Sequence, residues 1–201
     1  MRVPTGVERV RRASGERTRE SLLDAALLLW SRLGESSVTM DAVAKEAGRT
    51  RGIVYHHFVD RAELIAAARA HLYDQLEDLF SSRGPAVEDA YGFVAGLVVD
   101  SPELILTYIQ DLAASDPRED RLIQSGVKHF RELAAAGRTK AGTDPHHVAI
   151  ATVAMWFAAV VTVNLGRTPE ERRQQARKFA ETYRALMETG LLRPKHKEPD
   201  A

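Results

Sequence analysis

Residues 39–63 read TMDAVAKEAGRTRGIVYHHFVDRAE, and they encode two short helices joined by a tight turn. Thr39 can accept a hydrogen bond from a free backbone amide at a helix start, and Asp41 places negative charge in the first turn. An apolar face follows from the i, i+3, i+4, i+7 spacing of Met40, Val43, Ala44 and Ala47. Gly48 can end the helix in a left-handed conformation. The pattern predicts helices over 39–47 and 51–58, which together form a helix-turn-helix.

The second helix of this pair has two chemically different sides. At about 100° per residue, Val54 and Phe58 fall together, whereas Gly52 and His56 lie opposite them. We therefore expect the apolar pair to point inward, and Gly52 to permit close approach of a partner. Flanking positions carry further candidates for contact with DNA: Ile53 for a thymine methyl group, Tyr55 for hydrogen bonding, and Arg51 and Arg61 for phosphates.

Residues Thr18 to Leu64 resemble the N-terminal domain of the TetR family of bacterial transcription regulators. The segments that carry the resemblance are LLDAALLLWSRLG, TMDAVAKEAG and RGIVYHHF. Arg49 and Val59 depart from the residues usual in the family. The resemblance implies that the helix beginning at Arg51 lies in the major groove of DNA. The predicted DNA-contact set is Thr39, Arg49, Thr50, Arg51, Gly52, Ile53, Tyr55, His56 and Arg61.

Composition fits an ordinary globular protein of 201 residues, with 44% hydrophobic content and zero formal net charge. The absence of cysteine excludes disulfides and thiolate chemistry, and it is compatible with a cytoplasmic location. Charge is distributed unevenly: residues 1–61 hold 11 Lys and Arg against 8 Asp and Glu. The basic excess lies on the side predicted to meet DNA.

Both ends of the chain are polar. Residues 1–17 are rich in arginine, so we expect a disordered basic arm, which either lies along DNA or is a solvated tail without function. Residues 193–201 are expected to fray. No apolar segment of the secretory type follows the first arginines.

Most of the remaining chain is predicted to be helical, because capping residues followed by proline recur at 101–102, 116–117, 144–145 and 168–169. Thr168 and Glu171 also have the spacing of a capping box. The predicted fold is all-α, with the helix-turn-helix domain over 18–60 and a helical ligand-binding and dimerisation bundle over 61–192. Predicted helices span 18–33, 39–47, 51–58, 60–81, 86–99, 102–113, 117–136, 145–164 and 168–190.

The run Val148–Val163 is apolar on every side, so we expect it to be buried nearly all round. Its 16 residues fall short of the roughly 18 expected of a membrane span, which favours an interior helix. TetR-like proteins pair through their last two helices, and the alternative is packing within one chain. The predicted dimer residues are Phe157, Ala176, Phe179, Ala180, Tyr183 and Met187.

No catalytic motif is present, and the adjacent pairs His56-His57 and His146-His147 are poorly arranged to hold one metal ion. We therefore predict no enzymatic activity, no cofactor and no metal. A small-molecule pocket between the bundle helices is expected from the resemblance, although core packing is the alternative role for each residue. Its candidate residues are Tyr91, Tyr108, Gln110, His129, Phe130, Met155, Trp156 and Asn164.

These observations predict a homodimeric, ligand-responsive transcriptional repressor. It would bind pseudo-palindromic double-stranded operator DNA, and an unknown small-molecule effector would release it. One alternative is a dimeric helical ligand-binding or scaffold protein without DNA function. An enzyme built into the bundle is the other alternative, and no sequence feature supports it.

Overall fold

The computed structural model describes residues 6–82 and 90–190, and side chains over 13–79 and 92–186. Within those ranges the chain is built from helices and turns, with one isolated bridge residue at Thr139, so the all-α prediction is confirmed. The helices are α1 (Gly6–Leu33), α2 (Met40–Glu46), α3 (Arg51–His57), α4 (Arg61–Ser82), α5 (Ala90–Asp100), α6 (Pro102–Ala114), α7 (Arg121–Ala135), α8 (Pro145–Val163) and α9 (Pro169–Gly190). A 3-10 turn, Glu35–Ser37, lies between α1 and α2.

The chain divides into two compact units, Met1–Gln75 and Leu76–Ala201, and the division falls inside α4. In the first unit α1 packs on α2, and α2 packs on α3. Its core consists of large apolar side chains that are almost completely buried, including Leu22, Leu27, Trp30, Val38, Val43, Val54, Phe58, Leu64 and Leu72.

The second unit is a bundle in which α5 packs on α6, α8 and α9, while α8 also packs on α6, α7 and α9. Close packing is clearest where small residues meet. A Cβ atom added at Gly126 of α7 would lie 3.2 Å from the Cβ of Ala149 in α8. At Gly166, before α9, an added Cβ would lie 2.5 Å from the backbone nitrogen of Arg172.

Helix ends follow local sequence signals in most places. The Thr39 side chain accepts from the Ala42 amide, and the reciprocal bonds between Thr168 and Glu171 form the predicted capping box. Asp144 accepts from the amide of His146, with Pro145 at the first helical position. Gly48 has a φ of 61°, as predicted for a helix terminator.

Two predicted boundaries are wrong. Residues 6–17 continue α1 and do not form a disordered arm, since each residue added to a nucleated helix gains one hydrogen bond. Near Pro117 the chain forms a turn in which Asp116 binds the amide and side chain of Arg118. Asp120 caps α7 instead, because its carboxylate accepts from the Ile123 amide. The predicted tail 193–201 and residues 1–5 lie outside the described residues.

Candidate nucleic-acid interface

The α2–α3 connection places α3 on the surface through backbone hydrogen bonds at the end of α2. Gly48 donates to Lys45 O at 3.2 Å, and Arg49 donates to Ala44 O at 2.8 Å, so the chain turns sharply after α2. Thr50 then stands at the N-cap of α3 in extended conformation, without a side-chain capping bond. The hydroxyl of Thr50 is therefore not used to begin the helix.

The two sides of α3 are oriented as predicted. Val54 is 0% exposed and Phe58 is 1% exposed, so both pack into their own domain. Gly52, Tyr55 and His56 are exposed, and Ile53 is half-buried. The guanidinium carbon of Arg19 in α1 lies over the Phe58 ring, 5.2 Å from its centroid, so a cation–π contact links α1 to the residue that follows α3.

Among the described residues, nothing around Gly52 requires a glycine at this position. Its φ is not in the left-handed region, and an added Cβ would meet the Thr50 hydroxyl only at 4.0 Å. Glycine inside a helix costs about 1 kcal/mol relative to alanine. The missing side chain leaves room for a partner to approach α3 closely.

Arg51 and Tyr55 form one exposed pair at the start of α3. The Nη2 group of Arg51 donates to the Tyr55 hydroxyl oxygen at 3.1 Å, and its Cζ lies 5.2 Å from the ring centroid. Asp41 of α2 binds the Nε of Arg51 at 3.1 Å. The hydrogen bond with Tyr55 and the charge of Asp41 both raise the pKa of Arg51, so it remains a cation.

Two adjacent histidines end the helix, and they differ in environment. The His56 side chain is exposed, whereas His57 is half-buried. Burial lowers the pKa of His57, and the nearby His56 and Arg19 lower it further. His56 is thus the histidine on the outward side, as the sequence predicted.

Arg61 has a role that the sequence did not indicate, because its guanidinium group binds carbonyl groups of its own domain. Its Nε donates to Val38 O at 2.8 Å, and its Nη2 donates to Glu35 O at 2.7 Å. These bonds satisfy carbonyl groups around the 3-10 turn and leave less of the side chain for a phosphate. Sequence spacing did not reveal this role, since the partners lie 23 and 26 residues away.

A second capping box at the start of α4 was missed as well. Asp60 accepts from the Glu63 amide at 2.8 Å, and the Glu63 carboxylate accepts from the Val59 amide at 2.6 Å. The Asp-x-x-Glu spacing was the available signal. It fixes where α3 ends and α4 begins.

The predicted ligand residues do not form one set. Tyr108, Phe130 and Trp156 are buried, with the Tyr108 and Trp156 rings 5.2 Å apart, and Met155 is half-buried. Gln110, His129 and Asn164 are exposed, so their prediction as interior polar anchors is wrong. Positions 110 and 129 lie off the buried faces of α6 and α7. The Tyr91 side chain lies outside the described residues.

Sequence reasoning missed the polar groups that are buried in this unit. Thr107, Asp111 and Asp120 are each under 5% exposed. Asp120 accepts from the Tyr108 hydroxyl at 3.0 Å while it caps α7. No motif signals these positions. Among the described residues, no group of three or more His, Asp or Glu side chains could hold a metal ion.

The predicted dimer residues also separate into two groups. Ala176, Phe179 and Ala180 are buried within their own chain, so the prediction that they face a partner is wrong. The cause is the packing of α9 against α5, where a Cβ added at Gly92 would lie 3.6 Å from that of Ala180. Tyr183 is half-buried against the Phe179 ring, and the Met187 side chain lies outside the described residues.

Phe157 of α8 is 57% exposed, and it does not stand alone. Ile150, Val161 and Leu165 are also exposed, on the same side of α8 or just beyond its end. The prediction that Val148–Val163 is buried nearly all round is therefore wrong for a single chain. Among the described residues, α8 is long and apolar enough to cross a membrane, with a mean hydropathy of 1.7. The core helix of a soluble protein can have the same length and composition.

The exposed face of α3, the tight α2–α3 turn and the buried Val54–Phe58 pair define a helix-turn-helix domain of the kind found in DNA-binding proteins. Residues 22–68 match the model of the family described as bacterial regulatory proteins, tetR family. This match confirms, for the N-terminal domain, the resemblance found in the sequence.

Similarity to individual relatives is concentrated in the same region. The transcriptional regulator SrpR of Pseudomonas putida is 42% identical over 65 residues, which is 32% of this chain and 30% of SrpR. The transcriptional regulator AcrR of Shigella flexneri is 45% identical over 51 residues, 25% of this chain and 24% of AcrR. These matches span less than a third of either relative.

Solved structures extend the likeness to nearly the whole chain at the level of the fold. The crystal structure of NalD, the secondary repressor of the MexAB-OprM multidrug efflux pump in Pseudomonas aeruginosa, is 22% identical. Its TM-score is 0.59, and the match covers 90% of this chain and all of the NalD chain. The two proteins share the helical fold.

Proposed function

We propose that this protein is a cytoplasmic, homodimeric transcriptional repressor that binds operator DNA through α3 and releases it when a small molecule binds its second unit. The observation that carries the proposal is the orientation of α3, with Val54 and Phe58 buried and Gly52, Tyr55 and His56 exposed. A helix with this arrangement can enter the major groove while its apolar side stays in its own domain.

The chemistry of the exposed face supports DNA as the partner. Gly52 removes a side chain where a base edge would approach, Tyr55 and His56 offer hydrogen-bonding groups, and Ile53 offers an apolar contact for a thymine methyl. Arg49 and Arg51 are exposed near the start of the helix, where they can reach phosphates. The alternative of a scaffold without DNA function leaves the glycine unexplained.

Dimerisation is proposed through the exposed apolar face of α8, defined here by Ile150, Phe157, Val161 and Leu165. Burying such a face gains roughly 25 cal/mol for each Å² of apolar surface. A two-fold symmetric pair would present two copies of α3 to the two halves of a pseudo-palindromic operator. The dimer surface thus differs from the α9 residues that the sequence suggested.

The effector site is proposed for the second unit, where buried aromatic and polar side chains lie together. Tyr108 packs on Trp156, and its hydroxyl binds Asp120. To release DNA, an effector must bind one arrangement of the dimer better than the other, and coupling of about 1–3 kcal/mol is typical. The related structure of NalD is described as that of a repressor.

Selection from random-sequence duplex DNA with purified protein tests the proposal. We expect enrichment of a palindrome whose binding, measured by gel shift, is weakened at least tenfold by Tyr55→Ala or His56→Ala. His129→Ala is the matched control, because His129 is exposed on α7 of the other unit. Size exclusion should show an unchanged dimer in all three variants. Failure to enrich any palindrome would favour the scaffold alternative.

A further inference from the structure

We infer that Asp41 is a positioning residue for DNA recognition: it holds Arg51, and Arg51 fixes the Tyr55 hydroxyl so that its proton points toward DNA. This inference rests on the proposed DNA-binding function and assigns a role within that interface. Asp41 itself belongs to α2 and is separated from Arg51 by the turn.

Three side chains from two helices form the arrangement. The Asp41 Oδ1 atom lies 3.1 Å from Arg51 Nε, and the Arg51 Nη2 group lies 3.1 Å from the Tyr55 hydroxyl oxygen. The guanidinium group also lies over the Tyr55 ring. Arg51 is thus held from α2 on one side and by its own helix on the other, which restricts its rotamers.

The direction of the hydrogen bonds decides what Tyr55 can do. A guanidinium group has donors only, so the Tyr55 oxygen must accept from Arg51, and its own proton remains to be donated elsewhere. Phosphate oxygens, the N7 and O6 atoms of guanine and the O4 atom of thymine are all acceptors. A Tyr55 hydroxyl held in this way would favour an acceptor at its position.

The charge of Asp41 does not itself favour binding to DNA, because a carboxylate repels phosphates. Its pairing with Arg51 also adds little to folding, since both side chains are more than 60% exposed and such surface ion pairs are weak. Beyond the small contribution of a negative charge in the first turn of α2, the effect of Asp41 should therefore appear in the selectivity of binding.

The test compares Asp41→Asn with wild type on two duplexes, the palindrome enriched by selection and a scrambled duplex of the same composition. We expect Asp41→Asn to tighten binding to the scrambled duplex, since a negative charge is lost, and to lower the ratio of the two affinities roughly 3- to 10-fold. Asp41→Glu, which keeps the charge, should retain more of the ratio. Thermal unfolding of both variants checks the fold.

Glu46→Gln is the control, because Glu46 is another carboxylate of α2, with its side chain 34% exposed, and pairs with Arg32 at 4.0 Å. It should raise both affinities together and leave their ratio unchanged. In a Tyr55→Phe background, which lacks the hydroxyl, Asp41→Asn should no longer lower the ratio.

Two results would overturn the role of Asp41: an unchanged ratio in Asp41→Asn, or an equal fall in the ratio with and without the Tyr55 hydroxyl. Wild-type protein that prefers no duplex would instead refute the proposed function itself, and the inference would fall with it. Failure of the proposed function can be told from failure of the Asp41 role, because the binding of wild-type protein alone reveals it.

Discussion

Arg61 donates a hydrogen bond from its Nε to the backbone carbonyl oxygen of Val38, and the two atoms lie 2.8 Å apart. The same side chain reaches the carbonyl of Glu35 and lies 3.6 Å from the Glu35 carboxylate. The first residue of α4 thereby ties the connection between α1 and α2 to the helix that follows α3.

Arg61→Ala should lower the free energy of unfolding of the N-terminal unit by on the order of 1 kcal/mol, because two carbonyl groups lose a charged donor. Urea unfolding followed by circular dichroism measures this change. Arg49→Ala, which removes an exposed arginine that makes no such bond in the described contacts, is the control. Equal stability of the two variants would contradict the role given to Arg61.

Arg51→Ala should flatten the dependence of log affinity on log salt by about one per subunit, since one phosphate contact is lost. Fluorescence anisotropy with the selected duplex at several salt concentrations gives the slope. Arg32→Ala is matched in charge and exposure, with 64% of its side chain accessible against 62% for Arg51. Arg51 would have no phosphate contact if both variants kept the wild-type slope.

Stability of the N-terminal unit should fall as the pH is lowered from about 7.5 to 5.5, and His57 should cause part of this fall. The pKa of His57 in the folded protein lies below 6.5, so over this range the unfolded chain binds the proton more readily than the folded chain. The contribution of His57 to stability is therefore fully present above the pKa of this residue in the unfolded chain. It is lost as the pH falls toward its pKa in the folded protein. Urea unfolding at several pH values should show a shallower dependence for His57→Gln. An identical pH profile in the variant would argue against this.

Phe157→Glu should convert the dimer to a monomer, because it places a charge at the centre of the apolar face of α8. Sedimentation velocity at micromolar concentration distinguishes the two states. Leu33→Glu is the control, since Leu33 is 68% exposed and lies on α1. If Phe157→Glu stays dimeric, the interface lies elsewhere.

Gly166→Ala should destabilise the second unit by about 1–3 kcal/mol, because the added methyl group would overlap the backbone at the start of α9. Gly96→Ala should be neutral or slightly stabilising, as nothing lies within 4 Å of its added Cβ in α5. Thermal unfolding of both variants makes the comparison. Similar melting temperatures of the two variants would contradict this prediction and show that the backbone near Arg172 moves to make room for the added methyl group.

Features set by neighbouring residues were predictable from the sequence. The caps at Thr39 and Thr168, the terminator Gly48 and the inward side of α3 all depend on spacings of four residues or fewer. Their physical causes, unsatisfied backbone groups and helical periodicity, act locally.

Features that depend on tertiary arrangement were not predictable in the same way. Nothing in the spacing of Arg61 and Val38, or of Asp41 and Arg51, indicates that they meet. The apolar run in α8 was recognised, but periodicity could not say which side its own chain covers. The same limit explains why Phe179 was expected at an interface and lies in the core.

The outward face of α8 has a consequence for how the behaviour of the protein depends on its own concentration. If a second chain covers it, melting temperature will rise with protein concentration, because association stabilises only the folded form. Chains that have not yet paired, and variants that cannot pair, would expose this apolar face to water, which favours aggregation. Occupancy of an operator with two half-sites would then vary more steeply than linearly with expression level, because two chains must associate to bind it.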